Sequence, residues 1–310
     1  MYKRILVPLD GSKLAEGVLP YVREMAGAMG SDVELLRVFN PAPVELADPA
    51  HGRYLHQIDA SVRDESLDYL NAIRMTMADI ASRVSCEAVP GHPASCIVAE
   101  ADKTTGTLIA MSTHGRSGVS RWLLGSVTDK VLHATASPLL IVRPRDGGKE
   151  PAEARLKTVI VPLDGSSMAE QVLPYLTPLA KALGLIVTLV RVIPPEGLHF
   201  EFRDYPAGYS EDFVLGEETP KHAADYLRRV SDKLRADGLD SVQECVLRGN
   251  PAEAIVDLAK AAPDNLVAIT THGRSGLGRW VLGSVTDRVV RHSGDPVLIV
   301  RAVAHTPDET

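Results

Sequence analysis

The chain has 310 residues, of which 45% are hydrophobic and 24% are charged, and its formal net charge is −7 at pH 7. This composition is typical of a folded protein with a sizeable core. It excludes a disordered chain, and the acidic balance argues against a nucleic-acid-binding protein that works through a broad basic surface. A chain of this length predicts two domains of ordinary size.

The cysteines and the apolar segments exclude further classes of protein. Cys86, Cys96 and Cys245 form no CxxC pair, so neither a disulfide framework nor a zinc site is expected. No segment reaches the roughly 18 apolar residues of a membrane span, and residues 1–8 lack the apolar stretch of a signal peptide. We therefore expect a cytoplasmic protein with no membrane span and no nucleic-acid partner.

In chain order, a short apolar strand over 3–9 leads into Asp10-Gly11-Ser12, where Ser12 is placed to cap a single helix that continues through Val22. The later elements are a strand at 33–38, an amphipathic helix at 62–80, strands at 86–89 and 108–111, a glycine-rich loop, a helix, and a strand at 137–143. Strands that alternate with helices and lack a polar face predict a parallel sheet covered on both sides.

The whole series then occurs a second time, shifted by 154 residues at the first strand and by 158 at the glycine-rich loop. We predict a first domain over 1–145, a flexible polar linker over 146–155 and a second domain over 156–304. The four additional residues lie after the second strand, where the segment 194–220 holds three of the four phenylalanines. That segment is either a lid or partner contact, or a packed loop.

The glycine-rich loop carries the most specific pattern. Its first copy runs Thr113-His114-Gly115-Arg116-Ser117-Gly118 and reaches Gly125-Ser126, and its second copy runs from Thr271 to Gly276 and reaches Gly283-Ser284. A strand, a glycine-rich loop and a helix start bring unpaired backbone N–H groups and the positive end of the helix dipole together, which suits phosphate. The alternative is that the glycines only shape a connection and that the serines only cap or start a helix.

The ligand crevice of an open doubly wound sheet lies at the carboxyl ends of the strands, where the winding reverses. If the first strand is central, this point falls between the first and fourth strands, and Asp10 faces the 112–126 loop. Its carboxylate can accept a ribose hydroxyl, cap the Gly-Ser turn, or do both. Pro8, Leu9, Val38 and Met111 are candidate apolar walls for a base. His114 and His272 are expected to be hydrogen-bonding loop residues rather than acids or bases.

Both halves resemble the universal stress protein family, in its ATP-binding branch and its tandem two-domain form. The family motif is Gly, two residues, Gly, nine residues, Gly, then Ser or Thr. It aligns with Ser112, Gly115 and Gly125-Ser126, and again with Thr270, Gly273 and Gly283-Ser284, so the first glycine is replaced in both halves. The resemblance implies two tandem Rossmann-like (adenine nucleotide α-hydrolase-like) domains, each a five-stranded parallel sheet of order 3-2-1-4-5 with helices on both faces.

The motif and its surroundings define the predicted nucleotide-binding residues. In the first half they are Pro8, Leu9, Asp10, Val38, Met111, Ser112, His114, Gly115, Arg116, Gly125, Ser126, Val127 and Thr128. In the second half they are Pro162, Leu163, Asp164, Val192, Ile269, Thr270, His272, Gly273, Arg274, Gly283, Ser284, Val285 and Thr286. Because Thr270 is β-branched and bulkier than Ser112, the second site is expected to be the weaker.

The resemblance implies ATP as the ligand, with or without Mg²⁺, and an ATP-binding regulatory protein of a stress response with little or no catalysis. No Walker lysine, nucleophile elbow or His-Glu-x-x-His site occurs, and no catalytic residue or protein-held metal is predicted. The alternatives are a nucleotide-independent dimerisation or interaction module and a weak nucleotide hydrolase. The family also leads us to expect that the two halves pair as a pseudo-dimer, with a homodimer and a further protein partner as possible assemblies.

Overall fold

The structure is a computed structural model that describes residues 2–41, 52–77, 79–80, 83–113, 124–143, 154–193, 219–262, 264–272 and 282–303. Within it the chain divides into two compact units, Met1–Ala154 and Arg155–Thr310. Residues 146–153 of the predicted linker and 194–218 of the aromatic segment lie outside the described residues, so the limits of the linker and the role of that segment stay predictions.

Strands and helices alternate in the same order in both units. Unit 1 contains β1 (Arg4–Pro8), α1 (Lys13–Glu16), α2 (Leu19–Met29), β2 (Asp32–Phe39), α3 (Gly52–Met75), β3 (Val84–Pro90), α4 (Pro93–Asp102), β4 (Thr107–Ser112), α5 (Ser126–Ala134) and β5 (Leu139–Val142). Unit 2 contains β6 (Thr158–Pro162), α6 (Ser167–Glu170), α7 (Leu173–Leu183), β7 (Ile186–Ile193), α8 (Pro220–Ala236), β8 (Val242–Arg248), α9 (Pro251–Lys260), β9 (Asn265–Thr270), α10 (Ser284–His292) and β10 (Val297–Val300).

The five strands of each unit are parallel and follow the predicted order. In unit 1 the order is β3-β2-β1-β4-β5, and in unit 2 it is β8-β7-β6-β9-β10. All six residues of β4 and of β9 are buried, which explains why these strands carry no polar face. The predicted fold class is therefore confirmed.

The strand register fixes where a ligand site can form. β1 pairs with β2 on one side and with β4 on the other, with Arg4 opposite Thr107 and Leu6 opposite Ile109. The carboxyl ends of β1 and β4 therefore lie beside each other at the point where the winding reverses, which is where ligands bind in such sheets. β6 and β9 have the same relation in unit 2.

The prediction of a single helix after Ser12 is wrong, because α1 ends at Glu16 and α2 begins at Leu19. The cause is Pro20. A proline ring clashes with the carbonyl of the residue four positions earlier, here Glu16, and proline has no N–H to continue the helix. Pro174 acts in the same way in unit 2, where α6 ends at Glu170. The break leaves a short α1 that contacts β4 directly.

Among the residues that the structure describes, none of the helices has the length and apolar character required to cross a membrane.

Candidate functional site

Asp10 follows β1 and its side chain is bound into the turn that starts α1. Asp10 Oδ1 accepts hydrogen bonds from the N–H of Ser12 at 2.9 Å and from the Ser12 hydroxyl at 2.6 Å. The Ser12 oxygen accepts the N–H of Ala15 at 3.1 Å and so caps α1. Gly11 has a φ of 87°, which favours glycine at this tight turn. Of the two roles open to Asp10, the structure shows the capping role, made through Oδ1.

Unit 2 repeats this turn with nearly identical distances. Asp164 Oδ1 accepts the N–H of Ser166 at 2.9 Å and its hydroxyl at 2.6 Å, and the Ser166 oxygen accepts the N–H of Ala169 at 3.1 Å. Gly165 has a φ of 83°. The Asp-Gly-Ser sequence therefore holds the carboxylate in a defined position at the sheet edge of each unit.

The predicted apolar wall residues lie at the same sheet edge. The Leu9 N–H donates to Leu36 O at 2.8 Å, and the Leu163 N–H donates to Val190 O at 2.8 Å, so the chain leaves the central strand in a fixed direction. The side chains of the predicted set fall into two groups. Leu9, Met111, Leu163 and Ile269 are buried, whereas Pro8, Val38, Pro162 and Val192 are half-buried.

Two hydrogen bonds tie the start of α5 to the end of β4, and a third ties the residue after β4 to β5. Thr113 N–H donates to Val142 O at 2.9 Å, Gly125 N–H donates to Thr113 O at 2.7 Å, and Thr128 Oγ1 donates to Ser112 O at 3.0 Å. Together they hold the first turn of the helix beside the last residue of the strand, although the loop between them is long.

The helix start presents backbone donors at this edge. Gly125 is the N-cap, and Ser126 is the first helical residue and is exposed. The first bond along the helix runs from Asp129 N–H to Gly125 O at 2.9 Å, so the N–H groups of residues 126–128 precede the intrahelical ladder. Donors in this position, at the positive end of a helix dipole, suit an anion. Ser126 therefore starts the helix, which is compatible with both interpretations of the loop, and the next residue, Val127, is half-buried.

Unit 2 has the same frame and shows why a glycine is needed in it. Thr271 N–H donates to Val300 O at 2.9 Å, Gly283 N–H to Thr271 O at 2.9 Å, and Thr286 Oγ1 to Thr270 O at 2.8 Å. A Cβ on Gly283 would lie 3.0 Å from Thr271 O, a distance at which the two segments must move apart. Ser284 is the first helical residue and is exposed, and Val285 is half-buried.

The two units differ at the residue that replaces the first glycine of the motif. Ser112 is 7% exposed and its Oγ has no hydrogen-bond partner among the described residues. The equivalent Thr270 is 4% exposed, and its Oγ1 donates to His272 O at 2.8 Å. His272 Nδ1 lies 3.1 Å from Thr271 Oγ1, which fits the expected hydrogen-bonding role of this histidine.

The sequence reasoning missed a tyrosine and a glutamate that support the Asp-Gly-Ser turn. The Tyr69 hydroxyl in α3 donates to Glu16 Oε1 in α1 at 3.2 Å, and the Tyr226 hydroxyl in α8 donates to Glu170 Oε1 in α6 at 3.0 Å. Burial, and then the charges of Glu16 and Asp10, raise the pKa of Tyr69, so the hydroxyl stays protonated and can donate. Burial and the Glu170 and Asp164 charges likewise raise the pKa of Tyr226.

An arginine completes this group in each unit. The Arg37 guanidinium carbon lies 5.2 Å from the centre of the Tyr69 ring. Arg191 is 4% exposed and donates through Nη1 to Leu163 O at 3.2 Å, directly before Asp164. The recurrence of the same residue types in both halves was the signal that could have identified this group.

Five of the predicted site residues lie outside the described residues: His114, Gly115, Arg116, Gly273 and Arg274. The others lie at or directly after the carboxyl ends of β1, β2 and β4 and of β6, β7 and β9, and at the starts of α5 and α10.

The model of the universal stress protein family matches residues 1–143 and 155–301, once in each half. The chain belongs to this family and consists of two tandem universal stress protein domains. A universal stress protein of Mycolicibacterium smegmatis is 25% identical over 308 residues, which cover 96% of each chain. A universal stress protein of Methanocaldococcus jannaschii is 29% identical over 143 residues, which cover 46% of this chain and 83% of that relative.

A solved structure is similar to this chain over nearly its whole length. The crystal structure of a universal stress protein from Archaeoglobus fulgidus matches with a TM-score of 0.67 at 21% identity, covering 97% of this chain and 99% of that one. At this identity the match supports the fold.

Proposed function

We propose that this chain is an ATP-binding regulatory universal stress protein of the cytoplasm, which acts as a nucleotide-dependent switch or interaction module in a stress response and has little or no intrinsic catalysis. The proposal rests on two structural features that lie side by side in both units. In each unit, an Asp-anchored turn at the end of the central strand and a glycine-capped helix start lie at the edge where the sheet winding reverses.

Each part of this edge matches one part of an adenine nucleotide. Leu9, Val38 and Met111, with their equivalents in unit 2, offer apolar surface to a base. The anchored carboxylates of Asp10 and Asp164 are hydrogen-bond acceptors suited to ribose hydroxyls. The N–H groups of residues 126–128 and 284–286 suit the phosphates. A Mg²⁺ ion, when present, would be held mainly by phosphate oxygens, as is usual for this ion.

Substitution of the helix-capping glycines tests the proposal. Gly125→Val and Gly283→Val place branched side chains where the helix start meets the strand end, so each is expected to abolish ATP binding in its own half. Isothermal titration calorimetry should then show a stoichiometry that falls from two to one in each variant and to none in the double variant. Mass spectrometry of the purified protein under non-denaturing conditions would detect retained nucleotide.

Ala134→Val is the matched control, because Ala134 is exposed at the other end of α5. Circular dichroism is expected to be unchanged in all of these variants. ATP binding of ordinary stoichiometry in the Gly125→Val, Gly283→Val double variant would overturn the site. The pairing of the two halves and the formation of a homodimer remain predictions, which sedimentation analysis tests.

A further inference from the structure

Among the described residues, the two sites differ in the hydrogen bonding of one hydroxyl group at the end of the fourth strand of each unit. The backbone frames are equivalent: Ser112 O and Thr270 O each accept a hydrogen bond from a threonine in the following helix, at 3.0 and 2.8 Å. Thr270 Oγ1 donates to a carbonyl of its own loop, whereas Ser112 Oγ is buried and has no partner in the described part of the chain.

A buried hydroxyl without a partner destabilises a folded protein, because it has lost its hydrogen bonds to water and gained none in return. Ser112 lies at the last residue of β4, next to Met111 on one side and to the loop that leads to α5 on the other. Thr128 fixes its carbonyl, so the residue cannot move away from the start of the helix without breaking that bond. The backbone of Ser112 is therefore held at the candidate site.

We propose that Ser112 Oγ donates a hydrogen bond to a ribose oxygen of the nucleotide in the first site, and that the second site lacks this contact because Thr270 uses its hydroxyl within the protein. This inference rests on the proposed nucleotide binding and adds a specificity-determining residue to it. The first site then discriminates ribonucleotides from deoxyribonucleotides more strongly than the second does.

A ribose oxygen fits this position better than a phosphate oxygen. The backbone donors at residues 126–128 already supply the positive end of a helix for the phosphates. Ser112 is the last residue of β4, and the end of β4 lies beside the end of β1, after which comes Asp10, the candidate acceptor of the ribose hydroxyls. A neutral hydroxyl donor is matched to a neutral ribose hydroxyl, and one such hydrogen bond corresponds to about a 2- to 10-fold change in affinity.

The test uses the full chain with one site inactivated at a time. Asp164→Ala isolates the first site and Asp10→Ala isolates the second. Equilibrium dialysis measures the affinity of each for ATP, 2′-deoxyATP and 3′-deoxyATP. In the first-site background, Ser112→Ala is expected to weaken ATP binding about 2- to 10-fold and to remove the preference for ATP over the deoxy analogue that lacks the contacted oxygen.

Thermal stability is a second readout. A residue with a purely structural role would change Tm without changing nucleotide affinity. Without nucleotide, Ser112→Ala removes a buried hydroxyl that has no partner among the described residues, and it is expected to raise Tm by about 2–4 °C. Ser231→Ala is the matched control, because Ser231 is 0% exposed in α8 and its Oγ also has no partner among the described residues. It should raise Tm in the same way and leave nucleotide affinity unchanged.

The outcomes separate the two proposals. If the parent chain binds none of the three nucleotides, the proposed function fails. If it binds ATP but Ser112→Ala changes neither affinity nor the ATP preference, the role of Ser112 is wrong and its hydroxyl turns inward as Thr270 does. A loss of affinity that is equal for all three nucleotides would overturn the ribose contact, and an equal loss of more than about 10-fold would favour a contact to phosphate.

Discussion

Ser12 and Ser166 each connect the carboxylate at the sheet edge to the first helical turn. Each hydroxyl donates to the preceding Asp and accepts the N–H of an alanine. Because an N-cap side chain is lost, Ser12→Ala and Ser166→Ala are each expected to lower the free energy of unfolding by about 1 kcal/mol, as measured by urea denaturation. Ser12→Thr should restore most of the loss, since threonine also caps helices. A Thr variant as unstable as the Ala variant would show that capping is not the cause.

Glu34 lies in a buried charged cluster on the sheet of unit 1. Arg4 Nη1 contacts Glu34 Oε2 at 2.6 Å and Glu100 Oε1 at 3.5 Å, and Glu87 lies close by. Burial raises the pKa of Glu34 above its ordinary value of 4.5, and the Glu100 and Glu87 charges add to the increase, while Arg4 opposes it. The net direction is upward because Arg4 offsets only part of the cost of burying this carboxylate.

This pKa shift makes the stability of the chain depend on pH. A carboxyl group whose folded pKa is raised binds its proton more tightly in the folded state, so its contribution is fully present below the unfolded pKa and is lost as pH rises through the folded pKa. Glu34→Gln removes the titration. The free energy of unfolding of the variant minus that of the parent should therefore become larger as pH rises from about 4.5.

Urea denaturation at several pH values measures this difference. Glu253→Gln, which removes an exposed carboxylate paired with Arg288 at 3.0 Å, is the control for the loss of a surface ion pair. A difference between Glu34→Gln and the parent that stays constant between about pH 4 and 7.5 would contradict the assignment. Unit 2 has Thr158 and Thr188 at the positions of Arg4 and Glu34, so this titration belongs to unit 1.

At the scale of elements, the Tyr–Glu pairs bind the short helices α1 and α6 to the long helices α3 and α8. Tyr69→Phe and Tyr226→Phe are each expected to lower the free energy of unfolding by about 1 kcal/mol, because a hydrogen bond to a carboxylate is lost at a partly exposed position. A looser short helix also loosens the Asp-Gly-Ser turn, so ATP affinity of the same half should fall. A double-mutant cycle of Tyr226→Phe with Glu170→Gln measures the coupling free energy of the pair. A coupling of zero would show that this hydrogen bond does not hold α6 against α8.

The parallel sheet was predictable because apolar strands alternate with helices, and the strand order was implied by the resemblance to the universal stress protein family. The break after Glu16 was also readable, since Pro20 and Pro174 cannot continue a helix. The Tyr69–Glu16 pair was not, because the two residues lie 53 positions apart and meet only through the packing of α1 and α3. The contrast between Ser112 and Thr270 depends on which way a hydroxyl turns, and no sequence pattern encodes that.

At the scale of the whole molecule, duplication gives one chain two candidate sites with the same backbone frame but different side-chain chemistry. Both units keep the Asp-anchored turn, the glycine-capped helix and the Tyr–Glu pair. The sequence expectation that the second site is weaker rested on the bulk of Thr270. The proposed ribose contact of Ser112 adds a further cause, because the hydroxyl of Thr270 donates to His272 O and that of Ser112 has no partner among the described residues. Both causes favour the first site.

Unequal occupancy is therefore the expected state of the chain at limiting ATP. Mass spectrometry under non-denaturing conditions should show a singly bound species before a doubly bound one. Asp10→Ala should remove most of the singly bound species, whereas Asp164→Ala should not.

Thr270→Gly and Ser112→Gly then separate the two causes. Thr270→Gly relieves crowding and should strengthen the second site, whereas Ser112→Gly removes a donor and should weaken the first by about 2- to 10-fold. If Thr270→Gly instead weakens the second site, its hydroxyl assists binding and the steric argument is wrong. Equal affinities of the two sites in the parent chain would contradict both causes, because each predicts that the first site fills first.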